Sequence, residues 1–326
     1  MDLHTTLLVA ILAAAVRAGT PILLATLGEI IAERAGMLNL GLEGMMLVGA
    51  LSGFATYQRA AAICGIPVAC EPSGKLLIVA LLAAMAAAAL LALVHGLVTI
   101  TCRANQVVSG LAVTIFGAGI TGFAGDAFVG LPAKGFPVVP VPLLSKIPVL
   151  GPAFFQHNVL VYFSYLLVPL VWFFLFRTRW GLELRSAGES PRTADVMGIN
   201  VTAVRFAALL VGGLFAGLAG ASISLAYTPG WTEMMTGGRG WIAVAIVIFS
   251  GWNPLRAAAG AYLFGGISGI QMRIQAAGTH IPANVLMMFP YLFTILVLVI
   301  ASSGPLKRFS QAPKGLGLPY IREERE

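Results

Sequence analysis

The chain has 326 residues, of which 58% are hydrophobic and only 10% are charged, and its mean hydropathy is +0.90. So few polar side chains could not cover a water-exposed surface, which excludes a soluble globular protein. The net charge is +7, but the basic residues occur singly and without interleaved aromatic residues, so no nucleic-acid partner is expected. The N-terminus lacks the basic region and cleavage site of a secretory signal peptide, and the first helix is expected to anchor the chain.

The 38 glycines and the alanine-rich runs are typical of helices that pack closely within a bilayer. Apolar runs of about 20 residues, the length that crosses a bilayer, predict about ten transmembrane helices. The predicted ranges are 3–17, 20–33, 36–57, 76–101, 106–128, 154–176, 200–226, 239–252, 254–272 and 283–302. We therefore expect an all-α polytopic membrane protein.

A polar stretch interrupts the apolar sequence between residues 28 and 44. It contains Glu29, Glu33, Arg34, Asn39 and Glu43. Polar groups at membrane depth usually face a protein interior or a water-filled path, because exposing them to hydrocarbon costs several kcal/mol. The alternative is a cytoplasmic turn between two helices, which suits Glu33 and Arg34 best. The candidates for a solute path in this stretch are Asn39, Gly41, Glu43 and Gly44.

A second polar break, rich in glycine, covers residues 227–241 and ends at Trp241, which joins the candidates for the solute path. The first break is predicted toward the inner side of the membrane and the second toward the outer side. Dividing ten helices five and five inverts the second half relative to the first. A 5+5 inverted repeat with broken helices is therefore one plan, although the two halves share too little sequence to establish it.

The distribution of Lys and Arg predicts that both termini lie on the cytoplasmic side. In that topology thirteen basic residues are inside. The seven outside are Arg17, Arg59, Lys75, Lys134, Lys146, Arg239 and Arg273. We expect a single transmembrane domain over residues 1–302 and a cytoplasmic tail over residues 303–326.

Two loops are predicted on the outer side. Cys64 and Cys70 lie in loop 58–75, where a disulfide could form, or the two thiols could stay unpaired. The proline-rich loop 130–153 cannot be a regular helix. It is predicted to be a stiff connector or, alternatively, a cap over the outer mouth or a docking surface for an external partner.

The longest inner segment covers residues 177–201. Ser190 is predicted to cap a short helix, Pro191 fits its first turn and Gly198 ends it. The helix lacks the long apolar face of a lipid anchor, and Glu189, Arg192 and Met197 would be exposed. A protein-docking element on the cytoplasmic face is the favoured interpretation, and a solvated loop is the alternative.

Motifs for covalent or nucleotide chemistry are not found in the sequence. There is no phosphate-binding loop, and none of the four histidines has a partner at metal-ligand spacing. His95 is an intramembrane titratable group, but a packing histidine hydrogen-bonded to a neighbour is the favoured interpretation. We therefore expect a conduit rather than an enzyme, with no metal and no cofactor of its own.

Residues 33–50 strongly resemble the nucleoside and simple-sugar branch of bacterial ATP-binding-cassette (ABC) importer permeases, relatives of the ribose and branched-chain amino-acid permeases. Further matching pieces are 105–112, 147–152, 184–191 with 197–199, 238–245 and 251–254. The resemblance covers nearly the whole chain. Ser109, in the second of these pieces, is the last candidate for the solute path.

The resemblance implies a subunit of the bacterial inner membrane that imports a nucleoside or a related sugar by alternating access. Two permease chains, here expected as a heterodimer, would join two cytoplasmic ATPase subunits that bind ATP and Mg²⁺, and an external substrate-binding lipoprotein would deliver the solute. The segment 189–198 resembles the coupling helix that seats in the ATPase. The residues expected to couple are Gly188, Glu189, Ser190, Pro191, Arg192, Met197 and Gly198.

An ion-coupled secondary transporter is the alternative function, with Glu29, Glu43 and His95 carrying protons or sodium. Such a transporter would not need a docking segment at residues 183–199.

Overall fold

The protein is described by a computed structural model that covers residues 3–63, 74–276, 278, 282, 285–286, 288–302 and 312–322. Five helices in these residues are long and apolar enough to cross a membrane: Thr6–Arg34, Gly74–Thr101, Gln106–Phe128, Val159–Arg177 and Val201–Tyr227. The chain is thus a mostly helical, polytopic membrane protein, as the sequence predicts. Cys64 and Cys70 lie outside the described residues, and the predicted disulfide stays a prediction.

The described part of the chain is built mainly of α-helices. They are α1 (Leu3–Arg34), α2 (Leu42–Ile63), α3 (Gly74–Gly96), α4 (Gln106–Gly125), α5 (Leu150–Phe154), α6 (Val159–Arg177), α7 (Arg179–Glu189), α8 (Pro191–Val196), α9 (Val201–Ser222), α10 (Arg239–Phe249), α11 (Pro254–Ala276) and α12 (Phe289–Ser302). Single π-helical turns extend α3 to Thr101 and α9 to Tyr227. Most predicted boundaries agree with these within a few residues.

The predicted break between residues 17 and 20 is wrong, because α1 continues through it and through Pro21. Close packing of α1 against the antiparallel helix α11 explains the continuity. A Cβ atom added at Gly19 would lie 2.7 Å from the carbonyl oxygen of Ala261, and one at Gly265 would meet the backbone of Gly19. Tertiary packing of this kind holds a helix straight where the local sequence suggests a turn.

One continuous helix stands where two were predicted, and it separates the two described ends of the chain. The described C-terminal residues 312–322 contact the inner end of α1, where the Gly317 N–H donates to the carbonyl of Gly36 at 3.2 Å. Leu3 lies at the other end of this 32-residue helix, about 48 Å away at 1.5 Å per residue. The two described ends of the chain therefore lie at opposite ends of α1. The side of the membrane that each terminus faces stays a prediction.

The core of the bundle is formed by α1, α2, α3 and α9, which approach one another through small residues. Gly49 of α2 packs on Gly217 of α9, where an added Cβ would lie 2.6 Å from the Gly217 Cα. Another part of α9 packs on α3, where Gly213 contacts Ala88 and Ala92. Such close contacts leave no room for larger side chains and fix how the helices cross.

Residues 130–158 form a compact cap rather than the stiff connector that their prolines suggested. Strand β1 (Val138–Pro140) pairs antiparallel with β2 (Gln156–Asn158), and α5 lies between them in the sequence. The cap is hydrogen-bonded to the bundle: the Phe136 N–H donates to Leu225 O at 2.7 Å, and Gln58 of α2 donates to Pro132 O at 2.9 Å. The cap lies at the end of the bundle opposite α7 and α8.

The α7–α8 segment (residues 179–198) confirms the short helix that was predicted there. Ser190 occupies the N-cap position of α8 and Pro191 is in the first turn, but the Ser190 hydroxyl lies 2.7 Å from that of Thr193 and, contrary to the prediction, does not cap a backbone N–H group. Gly198 ends the segment with φ +87°, a conformation that glycine adopts without steric cost.

Candidate functional site

The loop between α1 and α2, residues 35–41, is non-helical backbone buried inside the bundle. Buried backbone must find hydrogen-bond partners, and side chains from neighbouring helices provide them. Gln106 of α4 accepts from the Leu38 N–H at 2.7 Å, and His95 of α3 lies 3.3 Å from Leu38 O. Glu29 of α1 accepts from the Asn39 N–H at 3.2 Å. These polar side chains thus hold the loop in place.

Asn39 is fully buried, and its own side chain stabilises the turn into α2. Its Oδ1 accepts from the Gly41 N–H at 3.1 Å, and its Nδ2 lies 3.5 Å from the sulfur of Met45. Gly44 lies where α2 crosses α4, and a Cβ added at Gly117 would come within 2.6 Å of the Gly44 Cα. In this conformation, Asn39, Gly41 and Gly44 are therefore packed inside the chain rather than facing an open path.

Ser109 also takes part in this network. Its Oγ lies 2.9 Å from His95 Nδ1, so His95 bridges Ser109 and Leu38. His95 is fully buried, in agreement with the packing role favoured for it from the sequence. Ser109 borders an apolar groove between α3 and α4 that is lined by Leu91 and Phe116 among others.

Glu43 joins the two polar breaks. Its side chain is only 3% exposed and accepts three hydrogen bonds from the start of α10: from Thr236 Oγ1 at 2.5 Å, from the Gly238 N–H at 2.8 Å and from the Gly240 N–H at 2.6 Å. The first N–H groups of a helix have no partner within it, and an anion there is stabilised by the helix dipole. Glu43, which lies on α2, therefore provides the oxygen atoms that cap α10.

This contact brings the two breaks together within the bundle. One was expected toward the inner side and the other toward the outer side, yet Glu43 of the first touches residues 236–240 of the second. At 11 residues, α10 is about 16 Å long, roughly half the 30 Å core of a bilayer. It runs from Glu43 to the inner end of α1.

The surface beside the start of α10 is partly open. Trp241, in its first turn, is 36% exposed, and Met234 of the preceding loop is more exposed still. Tyr291 of α12 donates its hydroxyl to Gly237 O at 2.8 Å. Arg239 donates to the carbonyl groups of residues 235 and 236, and its guanidinium lies 5.3 Å from the ring centre of Tyr227.

Glu33 and Arg34 lie at the inner end of α1 and fix the turn that follows α10. Glu33 Oε2 accepts from Trp252 Nε1 at 2.6 Å, and Arg34 donates to the carbonyl oxygens of Gly251 and Trp252 at 3.2–3.3 Å. The second oxygens of Glu29 and Glu33 have no hydrogen-bond partner within the described part of the chain. Glu33 is thus buried at the end of α1, and the choice between a cytoplasmic turn and a solute path for Glu33 and Arg34 stays a prediction.

The structure brings five of the six candidate path residues into one buried polar region and leaves Trp241 at its surface. Sequence reasoning missed Thr236, Gln106 and Tyr291, which complete this region. Gln106 directly follows Asn105, the N-cap of α4, and its position next to a helix start was the one available signal.

Most of the residues expected to couple to an ATPase are exposed at one end of the α7–α8 segment. Met197 is 77% exposed, and Glu189, Ser190, Arg192 and Gly198 are also exposed, while Pro191 is partly so. Val196, which was not predicted, is 86% exposed. Gly188 is an exception, because it is buried against the backbone of Arg34 and so cannot reach another protein.

Residues 11–299 match the family model described as the branched-chain amino acid transport system / permease component. The chain belongs to this permease family. It is 41% identical to the Haloferax volcanii protein TsgC13, whose name assigns it provisionally as a glucose ABC transporter permease, over 96% of this chain and 98% of that one. It is 36% identical to the guanosine ABC transporter permease NupQ of Bacillus subtilis over 94% of both chains.

The nucleoside ABC transporter permease NupC of Lactococcus lactis is 34% identical, again over 94% of both chains. No solved structure matches this permease. The chain is thus the permease subunit of an ABC importer and a transport component rather than an enzyme, and permeases of this family work with ATPase and substrate-binding partners. This assignment replaces the ion-coupled secondary transporter that the sequence left open.

Proposed function

We propose that this permease pairs with a second, homologous permease chain and two cytoplasmic ATPase subunits to import a nucleoside or a related sugar across the bacterial inner membrane. An extracytoplasmic binding lipoprotein delivers the solute, and ATP and Mg²⁺ bind to the ATPase subunits. The observation that carries the proposal is the similarity over at least 94% of the chain to permeases named for glucose, guanosine and nucleosides.

The solute path of this proposal follows the open side of the buried polar region. The exposed side chains there belong to Met234 and Trp241, beside the start of α10. Half-length helices that begin inside the membrane border solute sites in several transporter folds, and α10 has this length. In this conformation the N–H groups of Gly238 and Gly240 donate to Glu43, so the exposed side chains beside them would contact the solute. Glu43 and Asn39 then shape the path from behind without touching the solute in this conformation.

The topology proposed here follows from the continuous helix α1. The tail 312–322 and the α7–α8 segment face the cytoplasm, and the N-terminal end of α1 faces outward. The cap of residues 130–158 is then on the outer side, where a binding protein approaches. With α1 as one span and α10 crossing only half the membrane, the ten-helix count and the 5+5 inverted repeat need revision.

In this proposal, α8 couples ATP hydrolysis by the ATPase to transport by the permease. The exposed tip of the α7–α8 segment combines the apolar side chains of Val196 and Met197 with the charges of Glu189 and Arg192. Large apolar side chains surrounded by polar groups are typical of protein interfaces, and this tip lies on the face that we assign to the cytoplasm. ATP-driven movement of the ATPase would push on α8 and switch the path between outward and inward access.

The test is to co-purify the permease with the ATPase encoded beside its gene, using the double variant Glu189→Arg with Arg192→Glu. We expect a complex with the wild-type chain and loss of most ATP-coupled uptake in the double variant. The matched control is Arg179→Glu, an exposed arginine of the same face outside α8. Failure of the wild-type chain to form a complex, or normal coupled uptake in the double variant, would refute the proposal.

A further inference from the structure

The described C-terminal segment, residues 312–322, lies against the inner ends of three helices. The Gly315 N–H donates to Gly188 O, the end of α7, at 2.8 Å, and the Gly317 N–H donates to Gly36 O, just past α1, at 3.2 Å. Pro313 and Gly315 are buried, and the ring of Pro191 lies close to Gly315. One short stretch of backbone thus connects the start of α8 with the end of α1.

Arg205 of α9 provides the third attachment. Its side chain is 3% exposed, and its guanidinium donates to Leu318 O at 3.0 Å and to Gly315 O at 3.5 Å. Burying a charged group is costly, and the two nitrogens that find acceptors, Nη1 and Nη2, both donate to carbonyl groups of the C-terminal segment. The third, Nε, has no hydrogen-bond partner among the described residues. The planar guanidinium can hold two carbonyls at once, which a lysine ammonium does less well.

Side chains of the segment reinforce these backbone contacts. Tyr320 packs on a small apolar cluster of Ala187, Ala194 and Val201, which come from α7, α8 and α9. Arg322 forms an ion pair with Asp195 of α8 at 3.0 Å. The ion pair of Lys314 with Glu189, at 3.7 Å, is exposed and adds little. The segment therefore touches α8 at both ends.

We propose that Arg205 is a positioning residue for energy coupling, which acts by binding the C-terminal segment across α8 so that α8 moves as one body with α1 and α9. This inference rests on the proposed role of α8 at the ATPase. At six residues, α8 is too short to be stable by itself, and Ala194 is its one buried side chain. Without the C-terminal segment, movement of the ATPase would distort α8 locally instead of displacing α1 and α9.

The experiment uses the permease assembled with its ATPase and second permease in proteoliposomes and measures solute imported per ATP hydrolysed. The variants are Arg205→Met, Arg205→Lys and a chain that ends at residue 311, with Arg179→Met as the matched control. For Arg205→Met and the shortened chain we expect ATP hydrolysis to persist while solute imported per ATP falls at least about fivefold, the lower end of usual couplings between distant sites. Arg205→Lys should import more solute per ATP than Arg205→Met does, and Arg179→Met should import as much per ATP as the wild-type chain.

An unchanged ratio in Arg205→Met or in the shortened chain would overturn the proposal. So would a shortened chain that no longer assembles with the ATPase, because the segment would then act as a scaffold. If only Arg205→Met lowered the ratio, Arg205 would act by a route other than the segment. Failure of the proposed function would give a different result, because the wild-type complex would then show no ATP-driven uptake.

Discussion

Glu43 shows how a residue that is out of place in the sequence acquires a role in the fold. A carboxylate among apolar residues signals a partner, because burying an unpaired charge is costly. Its partners Thr236, Gly238 and Gly240 lie nearly 200 residues further along the chain, and no local pattern connects them. The sequence could therefore identify Glu43 as important but not as the capping group of α10.

Substitution of Glu43 by Ala is expected to destabilise the permease markedly. It removes the acceptor of three buried donors, and each donor left unpaired costs about 1–3 kcal/mol. Glu43→Gln should have a smaller effect, because its amide oxygen can still accept from the donors on one side. The measurement is the thermal unfolding midpoint of the purified chain in detergent.

Glu233→Ala is the control for this prediction, since that carboxylate is exposed on the same loop. It should leave the midpoint nearly unchanged. Equal midpoints for Glu43→Ala and the wild-type chain would show that these hydrogen bonds contribute nothing to stability.

Asn39 and Ser109 illustrate a further limit at the residue scale. Both are candidates for the solute path from the sequence, and that role stays a prediction. In the structure they satisfy the buried backbone of loop 35–41 directly or through His95. A polar side chain near a buried loop can serve either purpose, and the contacts that distinguish the two come from other helices.

At the level of elements, hydrophobic runs identified most helices, but not where one helix ends and the next begins. The residues around Arg17 and Pro21 suggested a break, and the packing of α1 on α11 overrides it. Loop 35–41, by contrast, was predicted as helix, yet it leaves the helical path at Gly36, whose φ is +87°. Long-range packing, which a single sequence does not reveal, decided both cases.

The contact between α1 and α11 gives a test with a control in the adjacent position. Gly265→Ala should lower the thermal midpoint, because the new methyl group would collide with the backbone of Ala15 and Gly19. Gly266→Ala should be tolerated, since its methyl group would meet one side-chain carbon of Ala15 at 3.5 Å. Similar midpoints for the two variants would mean that α1 and α11 do not pack as closely as described.

On the scale of the whole molecule, the proposed orientation can be tested by cysteine labelling in intact cells. In a chain without its native cysteines, a cysteine at Thr6 should react with a membrane-impermeant maleimide added outside. A cysteine at Lys314 should react only after the cells are opened, because the tail lies at the other end of α1. Labelling of both positions from the same side would contradict a single crossing by α1.

The membrane class and the family could be predicted from the sequence, because composition and extended motifs carry them. The contact between the two breaks and the continuity of α1 could not. Both depend on how α1 and α10 cross the bundle, and a count of apolar runs cannot separate one long helix from two short ones or a half-length helix from a full span.

The central claim is that this chain is the permease of an ATP-driven importer for a nucleoside or sugar. Its most direct test is uptake into proteoliposomes that contain the permease, its ATPase and its second permease chain, with binding protein outside and ATP and Mg²⁺ inside. Radiolabelled guanosine and glucose serve as the two probes. We predict uptake of at least one probe that requires ATP and persists when ionophores collapse every ion gradient. Uptake that continues without ATP and disappears with the ionophores would contradict the account.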